Sequence, residues 1–203
     1  MQNNPQPAYP SHPQNNQKQL KKTREKSKKL LDKTAANTET LVSLRDDIAR
    51  LSADLPKAKD EDLVVLRDQR RRKYAELRDE LERMINNIIE LEETGTETRE
   101  VRKVAAASAA QVSSWLKAEI NDSLQLLASL DEKIKTASES DVPELRQQVA
   151  NERKAVDKEL AALLENSDLM EQLGLDSKSD LNYLDTTLVQ RAENLVARLR
   201  YLI

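Results

Sequence analysis

Between Lys57 and Val142 the chain has no proline and a single glycine. A stretch so poor in turn formers cannot be laid out as strands, because a sheet reverses direction every few residues and reversals draw on Gly and Pro. Long helices are the reading that remains. The other breakers agree: Pro5, Pro7, Pro10 and Pro13 crowd the start, Pro56 and Pro143 stand alone, and Gly95 and Gly174 are the only glycines. With 2% aromatic residues and no phenylalanine, the chain also lacks what fills an ordinary globular core.

Apolar residues recur in steps of three and four between these breakers. Leu41, Leu44, Ile48, Leu51 and Leu55 form a heptad seam that stops at Pro56. Tyr74, Leu77, Leu81, Met84, Ile88 and Leu91 form a second, ending at Gly95, where a left-handed C-terminal cap costs glycine least. A third helix, predicted from Thr96–Thr98, passes Val101, Val104, Val112, Trp115, Leu116, Ile120, Leu124, Leu127, Leu130 and Ile134 and stops near Pro143. A fourth carries Leu145, Val149, Val156, Leu160, Leu163 and Met170 to Leu173 and is closed by Gly174. A fifth, from about Ser177, sets Leu181, Leu184, Leu188, Leu195, Leu199 and Leu202 on one side. The expected fold is therefore all-α: an elongated antiparallel bundle of coiled-coil hairpins with about five long helices.

Shifting the chain by 79 residues brings like onto like. Leu51 falls on Leu130, Asp62 on Asp141, Leu66-Arg67 on Leu145-Arg146, Gln69 on Gln148, Glu80-Leu81 on Glu159-Leu160, Asn87 on Asn166, Glu92 on Glu171, and Gly95 on Gly174. The repeated unit is a helical hairpin whose turn reads LEETGTET or MEQLGLDS. One hairpin cannot bury its apolar stripe alone, so the units are expected to stack on each other or on partners. The resulting division is 1–17, an Asn/Gln/Pro-rich tail expected to be disordered; 18–36, a basic helical leader; and hairpin repeats over 37–120 and 121–203.

For catalysis the residue set is poor. There is no cysteine, and the only histidine, His12, lies in the tail, so thiolate metal sites, Cys-His pairs and Ser-His-Asp triads are unavailable. Two glycines 79 residues apart make no phosphate loop. Inward Glu-x-x-His pairs, which build di-metal sites in helical bundles, do not occur. Paired carboxylates such as Glu92-Glu93 read as solvated charge at a helix end. No enzyme activity, cofactor, metal or small-molecule substrate is expected. No stretch has the roughly 18 to 20 apolar residues that span a bilayer, and the first residues have no secretory signal pattern, so the chain as given is expected to be soluble.

Charge is unevenly spread. Residues 18–33 hold eight Lys/Arg, among them Lys21, Lys22, Lys28 and Lys29, against Glu25 and Asp32; this piece is net +6 in a chain of net −3. It reads as a solvated helical leader or as a contact for anionic lipid or nucleic acid. A second basic cluster, Arg70, Arg71, Arg72 and Lys73, has Arg70 on the line of the apolar seam. It reads as a solvated face balanced by Asp68, Glu76, Asp79 and Glu80, or as a partner-facing or phosphate-binding patch. Nucleic-acid binding is not expected of it, since Tyr74 is the only aromatic nearby. The run VAAASAAQV at 104–112 allows two helix backbones to approach closely, and Trp115 beside it is expected at a contact, within the bundle or between subunits.

The repeated hairpins, the turns ELEETGTET and LMEQLGLDS, and the last segment LVQRAENLVARLRYLI together resemble the extended N-terminal region of bacterial channels of the mechanosensitive channel of small conductance family. The resemblance spans about 40–203 and includes no pore or transmembrane segment. It implies a periplasmic module at the inner membrane that assists assembly or gating, with neighbouring channel subunits as partners. A freestanding, self-associating coiled-coil scaffold is the alternative from the residues themselves. A peripheral binder of anionic membranes or nucleic acid acting through 18–33 is a third.

Overall fold

The computed structural model describes the backbone of residues 13–200, and the side chains of these apart from 13–16, 60, 61, 189 and 191–200. Five α-helices follow one another: α1 (Pro13–Asp54), α2 (Asp60–Glu93), α3 (Arg99–Thr136), α4 (Val142–Gln172) and α5 (Lys178–Arg200), with a single 3-10 turn at Leu55–Lys57 after α1. Among the described residues there is no strand. The breakers stand where the periodicity changes: Pro56 within the 3-10 turn, Pro143 in the first turn of α4, and each glycine just past a helix end.

The two glycine turns are built alike. Gly95 and Gly174 have φ of 75° and 74°, the left-handed conformation that glycine adopts without a Cβ penalty. At the first turn the Gly95 N–H donates to the Glu92 carbonyl (2.9 Å) and the Thr96 N–H to that of Leu91 (3.1 Å). At the second, Gly174 donates to Glu171 (2.9 Å) and Leu175 to Met170 (2.9 Å). This pair of bonds satisfies the last carbonyls of the helix. A side-chain clasp repeats as well: the Thr98 hydroxyl donates to Glu92 (2.6 Å) and the Ser177 hydroxyl to Glu171 (2.7 Å). The Thr98 and Ser177 carbonyls then accept the first helical bonds of α3 and α5.

Packing follows from the stripes. α1 lies antiparallel along α2, and α3 antiparallel along α4; α2 also touches α3 and α4, and α5 rests on α4. The core is one continuous seam. Leu41 and Ile48 of α1 meet Leu77, Leu81, Met84, Ile85 and Ile88 of α2, Ala109, Val112 and Ile120 of α3, and Val156 and Leu163 of α4. One face of the alanine-rich run is buried, with Ala105, Ser108, Ala109 and Val112 fully enclosed and Ala107 and Ala110 exposed, and the Ala109 carbonyl accepts a bond from Asn166 of α4 (3.0 Å).

Two expectations change. Residues 13–17 are not an extension of a disordered tail but the first residues of α1, as expected where a proline in the first helical turn meets a long segment able to propagate helix. Residues 1–12, with His12, lie outside the described residues. The boundary between 120 and 121 falls inside α3, which serves both hairpins: its first half returns from α2 and its whole length receives α4. The apolar side of α5 is only partly covered: Leu181 and Leu188 are exposed at 38% and 52%, while Leu184 between them is buried. Leu195, Leu199 and Leu202 lie outside the described side chains.

A Cβ built on Gly95 or Gly174 would meet nothing within 4 Å, so the cost of a substitution there is purely conformational. Gly95→Val and Gly174→Val are each expected to lose about 1 kcal/mol or more, and Gly→Asn distinctly less, measured as the shift in urea midpoint at constant slope. Equal losses for Val and Asn would contradict a left-handed cap.

Candidate functional site

The most heavily built polar feature lies where α2, α3 and α4 meet. Arg67, Arg70 and Arg71 follow one another at i, i+3 and i+4 on α2 and so project from one face. Glu119 and Ser123 stand one turn apart on α3, and Glu152 and Glu159 one heptad apart on α4. The three faces converge. Glu119, fully buried, takes an ion pair from Arg70 and lies 3.4 Å from Nε of both Arg67 and Arg71. Arg71 reaches Glu159 at 2.6 Å and Glu152 at 2.9 Å; Arg67 reaches Glu152 at 3.3 Å. Ser123 accepts from both Arg67 and Arg71 at 3.0 Å.

Three cations and three anions are thus sealed into one layer. Burial works against the charge on Arg71, but Glu159, Glu152 and Glu119 outweigh it and hold the guanidinium well above its ordinary pKa. Glu159 moves the other way. Burial pushes its carboxyl up to about 7, Arg71 pulls it down, and the neighbouring Glu119 and Glu152 add to the rise. The guanidinium stays charged at any working pH, so Glu159 is the member of the pair that titrates. Arg70 Nε and Glu119 Oε1 are enclosed without a hydrogen-bond partner, although Oε1 keeps its ion pairs.

The candidate residues distribute unevenly around this layer. Arg70 and Arg71 are inside it, paired mainly with helices 49 to 88 residues away, while Arg71 also keeps a longer ion pair with Asp68 of its own helix (3.7 Å). That removes them from any phosphate-binding patch. Arg72 is exposed, and Lys73 follows the local rule, bonding Glu76 at 2.7 Å. Trp115 is partly buried, its ring 5.7 Å from that of Tyr74 at 33°, so it packs inside the bundle on the edge of the core. Burial also raises the Tyr74 hydroxyl, to about 12. Lys21, Lys22, Lys28 and Lys29 are all exposed on α1. Gly95 and Gly174 are caps, as expected.

Beside the layer runs a groove of about 750 Å³ between α2 and α4, floored by Val112 and Leu116 of α3. Short side chains, Ala75, Ala155 and Ala162, leave the space open. Ion pairs cross it: Arg71 to Glu159 and Glu152 toward one end, and Arg78 to Glu165 (2.7 Å) toward the other. Its walls contain no thiol or imidazole. Among the described residues no cluster of three or more His, Cys, Asp or Glu is arranged to hold a metal ion. None of the described helices is long and apolar enough to cross a membrane.

Glu119, Glu152 and Arg67 were not foreseeable as site residues from local spacing. The signal available was Arg70 on the apolar line; its partner could be named only once α3 was placed beside α2.

No protein-family model matches the chain, and no curated protein matches it. Among solved structures, a computationally designed three-helix bundle aligns with 92% of this chain and 82% of its own length, at 14% identity and a TM-score of 0.28, too loose a superposition to bear on function.

Two outcomes test the layer. Glu119→Gln, which leaves Arg70 buried against a neutral group, is expected to cost about 3 to 5 kcal/mol, whereas Arg70→Met with Glu119→Leu recovers most of the loss in a denaturant titration. Glu159 supplies the pH dependence. Folding raises its pKa, so between about pH 4.5 and 7 the folded state holds a proton that the unfolded state has released, and its contribution to stability falls as pH rises through that window. Glu159→Gln is expected to flatten this decline between pH 5 and 7.5, with Arg71, Arg67, Glu119 and Glu152 left in place. An unchanged slope would remove Glu159 as its source.

Proposed function

We propose that the chain is a non-catalytic helical interaction module: a stiff spacer that holds binding surfaces at fixed separation. The observation that carries this reading is the buried Arg-Glu layer. It spends the most elaborate chemistry of the molecule on joining α2, α3 and α4, and the groove-lining Glu159 and Glu152 are held in those ion pairs. Helices of 34 and 38 residues, at 1.5 Å per residue, give a body about 50 to 60 Å long.

In its narrower form the proposal places the module on the periplasmic side of a small-conductance mechanosensitive channel, as an extramembrane part that assists assembly or gating. Its support is the resemblance of the repeated turns, LEETGTET and MEQLGLDS, which form matching caps and clasps here. A freestanding scaffold uses the same surfaces without a membrane neighbour.

Fractionation of source cells with an antibody raised against the chain separates the two. A band well above 23.1 kDa, released from membranes only by detergent, is the expected result for the channel module. A band near 23.1 kDa in the soluble fraction overturns that form and leaves the scaffold.

A further inference from the structure

The repeat makes it possible to ask which surfaces of the second hairpin lack what covers them in the first. Leu164 of α4 occupies the place of Ile85 of α2, and Leu188 of α5 that of Ala109 of α3. Ile85 and Ala109 are 1% and 0% exposed; Leu164 and Leu188 are 49% and 52% exposed. The difference has a clear cause. α4 packs along α3 and against α2, whereas among the described residues no further helix packs along α5 or on the outer side of α4. Leu181, one heptad before Leu188, is exposed on the same side of α5. Among the described side chains, the exposed carboxylates Asp168, Glu171, Asp176 and Asp185 stand near these leucines in sequence, with Glu165 already paired to Arg78, and the exposed cations nearest them in sequence are Lys158 and Lys178.

The opposite end of the molecule carries the complement. Ser27 of α1 meets Thr94 at the end of α2 (2.9 Å), so the part of α1 before it runs past the Gly95 turn, about 20 Å of helix. In residues 18–33 all eight Lys/Arg are exposed; the segment itself holds only Glu25 and Asp32 against them, and Lys26 is paired with Glu90 of α2 (3.1 Å). Leu20 and Leu31 are exposed there at 60% and 42%. The cross-helix pairs add the register. Arg71 to Glu159 and Arg78 to Glu165 are 88 and 87 residues apart, not 79, so the second hairpin is displaced along the rod by about eight residues, roughly 12 Å. The same stagger continued onto a following molecule sets its leader level with the Gly174 turn.

We propose that the chain associates head to tail with a second copy of itself, the basic N-terminal part of α1 of one copy lying on the acidic, leucine-bearing outer face of α4 and α5 of the next. This deepens the reading as an interaction module and rests on it, since it names the partner. The contact joins two different surfaces, so it extends into a ring or a filament and does not close as a symmetric dimer. Charge supplies orientation and leucine burial supplies persistence.

Sedimentation velocity on the full chain tests it. The expected result is a weight-average mass that rises with concentration beyond twice 23.1 kDa at about 50 mM salt and falls toward the monomer at about 1 M, where the Debye length shrinks to about 3 Å. Lys21→Glu/Lys22→Glu/Lys28→Glu/Lys29→Glu removes the head, and Leu164→Glu/Leu188→Glu removes the tail; each alone is expected to be monomeric with unchanged helicity and melting. Mixed, they retain one intact head and one intact tail and are expected to form a 1:1 dimer that grows no further. A monomer at every concentration and salt, oligomers that survive both sets of substitutions, or no dimer on mixing would each overturn the proposal. Fractionation results decide between channel module and scaffold and leave this outcome untouched, so the two readings fail separately.

Discussion

The ion layer between α2, α3 and α4 is the constraint on which the rest of the arrangement depends. An apolar seam between long helices is tolerant of sliding: a shift by one heptad puts leucine against leucine again at little cost. Three guanidinium groups and three carboxylates cannot slide that way, because any other register leaves a charge buried without its partner. Glu119 shows this most directly, enclosed completely and contacted by all three arginines. The layer gives modest net stability after desolvation, yet it discriminates strongly between registers. The same logic recurs at smaller scale in each hairpin. Asn87 bonds Asn37 at 2.7 Å, and its repeat equivalent Asn166 bonds Ser113 at 2.7 Å, a polar contact at the matching place in each apolar seam.

The repeat is real at its turns and broken at its middle, and the break explains the shape. Glu92, Gly95 and Thr98 reproduce the bonding of Glu171, Gly174 and Ser177 almost atom for atom. Arg70 and Arg71, however, fall on Val149 and Ala150 one repeat later, so of the three layer arginines the second hairpin keeps only the equivalent of Arg67, the exposed Arg146, and builds no second layer from them. The charges appear once because they have one task, which is to fix the hairpins to each other. α3 has to serve both hairpins at once. Its small residues, Ala105, Ser108 and Ala109, keep it thin enough to be covered on more than one side.

Helix number, type and ends were legible from the sequence because they are decided by local physics. Pro56, Gly95, Pro143 and Gly174 act within a turn of themselves, and stripes such as Tyr74, Leu77, Leu81, Met84, Ile88 and Leu91 need only the helical period to declare a buried face. The arginine layer was not legible, because Glu76 and Asp79 satisfy the local pairing rule for that cluster as well as Glu119 and Glu159 do. Lys73 does pair locally, and nothing in the spacing separates it from Arg70 except the place of Arg70 on the apolar line. The exposure of Leu188 was not legible for a related reason. Periodicity states which face of a helix is apolar, not whether another helix covers it.

A helix shared between two hairpins also decides how stiff the joint between them is. If the hairpins were joined by a loop, each could swing about it, and a displacement at one end would be lost in the linker. Here the connection is α3 itself, an unbroken helix of 38 residues whose side chains enter both seams. Bending between the hairpins would have to break α3 or pull Glu119 away from Arg67, Arg70 and Arg71, and those are among the most costly separations the fold contains. The turn at Gly174 is held to the body through α3 as well, since Ser113 and Lys117 bond Asp180 at the start of α5. The exposed ends, basic at α1 and acidic at α4 and α5, are therefore mounted on one rigid piece. Their separation and orientation are fixed by the core, which is the property a spacer between binding surfaces requires.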